Sequence, residues 1–174
     1  MNEKLVKVMN EQITNEFYSA FLYLAMSDWA MQNGLKGAAH WLYIQFLEEM
    51  AHGQNLYRYL QVRQDAVVLA QIAKPAGSWN NLLEVYRHVL AHEKEVTALI
   101  ANLANISQDV RDHAASIFLE WYVTEQVEEE GNATDIIQRL QLAGDNLSGL
   151  LMIDTELAAR VFIAPVVPGL PVGP

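Results

Sequence analysis

Glu49 and His52 stand three residues apart in the run Glu48-Glu49-Met50-Ala51-His52, a spacing that puts a carboxylate and an imidazole on one face of a helix. Apolar Leu42, Phe46, Leu56 and Leu60 recur around them at helical steps, so the pair lies on the stripe that faces a core. An ionised carboxylate on such a stripe needs a partner. Together the two side chains are of metal-ligand type.

The pattern repeats. Glu16 precedes Glu49 by 49 − 16 = 33 residues and Glu93 precedes Gln126 by 126 − 93 = 33, with the two halves offset by 77. Under that offset Glu16 maps to Glu93, Glu48 to Glu125, Glu49 to Gln126 and His52 to Glu129. Each position lies near the middle of a long helical segment, so Glu16, Glu49, His52, Glu93, Gln126 and Glu129 come to one height in a bundle. Four carboxylates at close quarters repel unless cations or protons neutralise them. Mostly oxygen donors with a single imidazole suit iron or manganese and fit zinc less well.

The elements that must carry these residues are legible from period and punctuation. A first helix is expected over Glu3–Gln32, stopped by Asn33-Gly34, and a second over Leu35–Gln64; the short turn makes them antiparallel neighbours. Asp65 to Gly77 loses helical period and reads as an extended connection. Thirteen such residues span roughly 43 Å, against roughly 45 Å for a helix of about 30 residues, so the connection can return the chain along the bundle. Ser78 is the expected N-cap of a third helix running to Asn105, and Ser107 that of a fourth running to Ala143, with a kink expected near Gly131. Leu147–Arg160 suggests a short fifth helix. The fold class is all-α, a four-helix bundle with a long crossover and a short fifth helix, in a domain of residues 1–160. Residues 161–174 form an apolar tail with four prolines and no charge, which cannot continue a helix; disorder, lining of an enclosed space and docking on a partner are all open to it.

At 174 residues and 52% hydrophobic, one domain with a sizeable core is expected. The net charge of -10 argues against nucleic acid and for surfaces or compartments that attract cations. With no cysteine, disulfides, zinc-thiolate sites and iron–sulfur clusters are excluded. Met1 to Val8 lacks the apolar core of a signal peptide and no apolar run reaches a membrane-spanning length, so no membrane association is expected and the protein reads as cytoplasmic.

One Glu from each of two helices with a Glu-x-x-His motif on each of the others is the ligand pattern of ferritin-like di-iron proteins. The chain resembles the ferritin family over about residues 3 to 158, through Glu16 and Tyr23, Glu48-Glu49-Met50-Ala51-His52, His92-Glu93, and Trp121-Tyr122 with Glu125-Gln126-Val127-Glu128-Glu129-Glu130. A bacterioferritin is expected to carry a second Glu-x-x-His, where this chain has Gln126 and Glu129, so it is similar to a prokaryotic non-haem ferritin. Met50 matches the position of the bacterioferritin haem ligand, but haem is not expected.

The resemblance implies that Glu16, Glu49 and His52 hold one iron and Glu49, Glu93 and Glu129 a second, with Glu49 bridging. It implies that Gln126 hydrogen-bonds oxygen species and that Tyr23 donates an electron or a hydrogen bond. Glu48, Glu125 and Glu128 match a third iron site of bacterial ferritins. The implied function is oxidation of ferrous iron by dioxygen or peroxide, a ferroxidase reaction, with ferric mineral stored in a homo-oligomeric cage of 24 subunits. A haem-binding ferritin acting in iron release or peroxide detoxification is the alternative, and a non-enzymatic helical interaction protein is the reading from another class. Asp109, Asp112 and His113 suggest an iron-access pore.

Overall fold

The computed structural model describes residues 1–170; residues 171–174 of the tail lie outside the described residues. The long runs that lack proline and place an apolar residue every three or four positions form four long helices, α1 (Glu3–Gln32), α2 (Lys36–Val62), α3 (Leu82–Asp109) and α4 (His113–Ala143), followed by a short α5 (Leu147–Leu157). Helix α1 packs on α2 and α3, α3 on α4, and α5 against α2 and α4. Among the described residues there is no strand, and no helix is long and apolar enough to cross a membrane.

Among the described residues, four of the five helices start at an Asn or Asp cap. The side chains of Asn2, Asn81, Asp112 and Asn146 accept backbone N–H groups at the starts of α1, α3, α4 and α5. The third helix therefore starts at Asn81 and not after Ser78. Glu84 closes this cap by accepting the Asn80 N–H at 2.8 Å. The expected cap at Ser107 is likewise corrected. Ser107 is buried inside α3, its hydroxyl bonded to the Ala104 carbonyl at 2.7 Å and to Ser116 Oγ at 2.9 Å. Asp112 caps α4 instead, and Arg63 grips the same carboxylate at 2.8 and 3.1 Å. That double role gives Asp112 a structural part at the start of α4. Helix α4 continues through Gly131 without a break, and α5 ends at Leu157, short of Arg160.

The crossover between α2 and α3 is extended and tied down at both ends. It starts beside the beginning of α1, where Asp65 accepts the Met1 ammonium at 3.0 Å and Asn10 bonds both the Ala66 carbonyl and the Val68 N–H. It finishes with Trp79 edge-on to Trp29 near the end of α1, ring centroids 6.2 Å apart. The connection thus runs the length of the bundle, as its residue count allows.

The core is divided in two. One apolar cluster takes in Leu22–Ala30 of α1, Leu35–Leu42, Leu82–Val89 and Ala133–Leu140, with Ile153 and Leu157 of α5. The other is built from Leu5–Ile13, Leu56–Leu60, Val96–Ile106 and Ala115–Tyr122. On every long helix the gap between the clusters falls at the polar residues singled out by the repeat.

Helix α2 has no side-chain cap of its own at Leu35. Asp154 of α5 supplies one, accepting the Ala38 N–H at 2.8 Å across 116 positions of sequence. The approach is so close that a Cβ on Gly37 would meet the Asp154 carbonyl oxygen at 1.6 Å. Gly37→Ala gains about 1 kcal/mol of helix propensity, but forcing α5 away costs about 1–3 kcal/mol by overpacking and removes the cap as well. The variant is expected to melt several degrees below wild type, at about 2–4 °C per kcal/mol for a chain of this size; an unchanged or raised Tm would contradict the packing.

Candidate metal centre

Between the two apolar clusters lies a layer of ionisable side chains with almost no access to water. Glu16 on α1 is 1% exposed, Glu49 and His52 on α2 are 2% and 4%, Glu93 on α3 is 0%, and Gln126 and Glu129 on α4 are 6% and 5%. Helical spacing alone brings Glu49 and His52 together, with Nδ1 3.5 Å from Glu49 Oε2; Glu16 Oε2 approaches the same nitrogen to 4.0 Å from the neighbouring helix. The ligand-type atoms of these three residues lie within 4.8 Å of one another. Glu49 Oε2, buried and facing this group, has no hydrogen-bond partner. An orphaned carboxylate oxygen beside an imidazole and a second carboxylate is the donor set a divalent cation fits.

Glu93 and Glu129 complete the layer from the other hairpin. Tyr23 donates its hydroxyl to Glu93 Oε1 in a short hydrogen bond. Gln126 Nε2 donates to Glu93 Oε2 at 3.1 Å, with longer contacts to the Glu93 carbonyl at 3.3 Å and Thr97 Oγ1 at 3.3 Å. The described geometry therefore makes Gln126 a partner of Glu93. Tyr122 anchors the backbone beneath His52, its hydroxyl donating to the His52 carbonyl at 2.8 Å, while the ring of Trp121 meets the imidazole edge-on with centroids 5.3 Å apart.

Two buried amides went unnoticed in the sequence. Gln12 Nε2 donates to Glu16 Oε1 at 2.9 Å and Gln45 Nε2 donates to Glu129 Oε2 at 2.8 Å. The signal that finds them is the same spacing: 45 − 12 = 33, and each lies four residues before a layer glutamate of its own helix. Glu48, Glu125 and Glu128 do not join the layer. They line a cavity of about 640 Å³ on the α2–α4 side, which reaches His52 and is open to solvent.

Burial is the main electrostatic fact. It pushes the carboxyls of Glu16 and Glu49 well above their ordinary range, and the neighbouring carboxylates push further in the same direction. Glu93 is raised chiefly by burial, against the hydrogen bonds from Tyr23 and Gln126. Glu129 is pushed up to about 8 by burial and by the charge of Glu93. Without cations the layer therefore holds protons that the unfolded chain, with carboxyls near 4.5, releases. Stability from this source is fully present below about pH 4.5 and is lost as pH rises through the folded values. Metal-free protein is expected to melt at progressively lower temperature from pH 7 to pH 9, by about 1.4 kcal/mol per pH unit for each proton held. Glu129→Gln should flatten the slope, and a metal-free Tm that rises over that range would refute the assignment.

Residues 6–143 match the family model for the ferritin-like domain. Among curated proteins, the chain is 38% identical over 160 residues to a bacterial non-heme ferritin of Bacteroides fragilis, covering 92% of this chain and 99% of that one. It is 35% identical over 154 residues to a bacterial non-heme ferritin of Campylobacter jejuni, covering 88% and 92%. Among solved structures, a novel open pore ferritin from the archaeon Archaeoglobus fulgidus superposes with a TM-score of 0.91 at 38% identity, over 92% of this chain and 99% of that one. By these matches, which run through all four long helices and the layer between the clusters, the chain belongs to the ferritin family, beside the bacterial non-heme ferritins.

Proposed function

We propose that the protein is an iron-storage ferritin whose buried layer is a ferroxidase centre, taking ferrous iron as substrate and delivering ferric iron to a mineral enclosed by a homo-oligomeric cage, with the cytoplasm as its compartment. The observation that carries the reading is the orphaned Glu49 oxygen within reach of Glu16 and His52, in a layer too buried to hold four charges unaided. Glu16 and His52 would hold one ferrous ion, Glu93 and Glu129 a second, and Glu49 would be shared between them. The family and the names of the relatives support iron as the metal.

The residues around the ligands do the positioning. Gln12, Gln45 and Gln126 donate neutral hydrogen bonds to Glu16, Glu129 and Glu93, fixing each carboxylate without cancelling its charge. Tyr23 donates its hydroxyl to Glu93 and so orients that carboxylate. Two ferrous ions each give up one electron; dioxygen accepts both and, with two protons, leaves as hydrogen peroxide, so the charge left in the layer rises by two. Anionic ligands favour that ferric product. The apolar clusters above and below exclude water except on the side where the cavity reaches His52.

The experiment is air oxidation of ferrous iron at about two irons per subunit, followed by stopped-flow absorbance. Wild type should show a fast phase that Glu49→Ala abolishes, since removing the shared carboxylate disables both ion positions; a loss of two orders of magnitude or more is expected, on the order of one metal-organising group's share. Equal rates in the two proteins would end the ferroxidase reading.

A further inference from the structure

Arg160 lies just past α5, where the chain turns back over α2 and α4. Its Nη2 donates to Glu48 Oε2 in a close ion pair, and both side chains are 18% exposed. The guanidinium lies over the Trp41 ring with Cζ 4.2 Å from the centroid, and the Arg160 carbonyl is 2.8 Å from His40 Nε2. Nη1 is buried without a partner. Beyond it, Ile163, Pro165 and Val166 line the same cavity as Glu48, Glu125, Glu128 and His52. Val167 then sinks to 5% exposure in the second apolar cluster. The described part of the tail straps the acidic cavity, anchored at Arg160 and Val167, while Val161, Ile163 and Val166 keep exposed apolar surface.

Three carboxylates about one cavity would attract a cation, and this chain supplies one covalently. We propose that Arg160 is the resident cation of the Glu48–Glu125–Glu128 cavity, held there by the Trp41 stack and the tail, and that a third iron takes this position only by displacing the guanidinium. The proposal rests on the reading of the buried layer as the iron centre, since the cavity is the solvent-open side of that layer at His52. It makes Arg160 a residue that sets how readily iron is held outside the centre: the guanidinium competes with the ion for Glu48, and each displacement must also lift it from Trp41.

The test uses full-length, metal-free assembled protein and zinc as a redox-inert probe, with bound zinc per subunit measured by equilibrium dialysis near neutral pH. Wild type should bind about two zinc ions tightly and a third weakly. Arg160→Gln should tighten the third by about tenfold or more, the change expected from freeing one partly buried carboxylate of its ion pair, and leave the first two unchanged. Arg160→Lys, which keeps the charge but loses the planar stack on Trp41, should fall between wild type and Arg160→Gln. Removal of residues 161–174 keeps Arg160 but releases the strap, and should tighten the third ion to an intermediate degree; it also serves if Arg160→Gln fails to assemble. Two tight ions in wild type with no change in Arg160→Gln, or a third already as tight as the first two in wild type, would overturn the role of Arg160 alone. No tight zinc in wild type would overturn the iron-centre reading and this proposal with it.

Discussion

Everything in this fold is arranged around the burial of four carboxylates and an imidazole at mid-height in a helical bundle. Charges removed from water cost several kcal/mol each unless paired, so such a layer persists only between structures stable enough to carry it. The two apolar clusters are those structures. Each long helix must present apolar turns on both sides of its polar residues, which is why all four run to between 27 and 31 residues. Length in turn dictates the connection: two hairpins of that height can share a layer only if the link between them traverses the bundle, and the crossover does so from Asp65 to Trp79.

The chemistry depends on what the layer does not contain. No lysine or arginine is buried in it among the described residues; the groups that bond the carboxylates include the amides of Gln12, Gln45 and Gln126 and the hydroxyl of Tyr23. Neutral donors fix orientation and leave the negative charge for an arriving cation. The one guanidinium near the site lies outside it, at Glu48, where it balances a carboxylate on the solvent-open side. An ion pair therefore balances one carboxylate at the rim, whereas at the centre protons hold the place that a cation would take.

Much of this was legible in the sequence because the polar layer is written as errors in a regular pattern. Glu16, Glu49, Glu93 and Gln126 each break an apolar stripe, and their 33-residue spacing puts the breaks at matching heights on paired helices. Helix ends were less legible. Ser78 and Ser107 are good caps as residue types, but a cap requires the backbone to be entering a helix there, and Ser107 instead sits within α3 with its hydroxyl turned back on its own helix. Gln12 and Gln45 were missed because a glutamine on a core stripe looks like an ordinary boundary residue until its partner is known, Glu16 on the same helix for Gln12 and Glu129 across the bundle for Gln45. The tail was illegible for a different reason: composition gives its apolarity, whereas its course depends on an ion pair to Glu48 and on the packing of Val167 in the second cluster, which only the folded helices create.

The cap that Asp154 places on α2 bears on the order in which the chain acquires its shape as it is made. Both halves of the first hairpin emerge early, yet the start of α2 has unbonded N–H groups until α5, more than a hundred residues later, arrives to receive one of them. A nascent chain that has not yet reached Asp154 leaves the start of α2 without this cap. Helix α5 thus completes a helix end laid down more than a hundred residues before it.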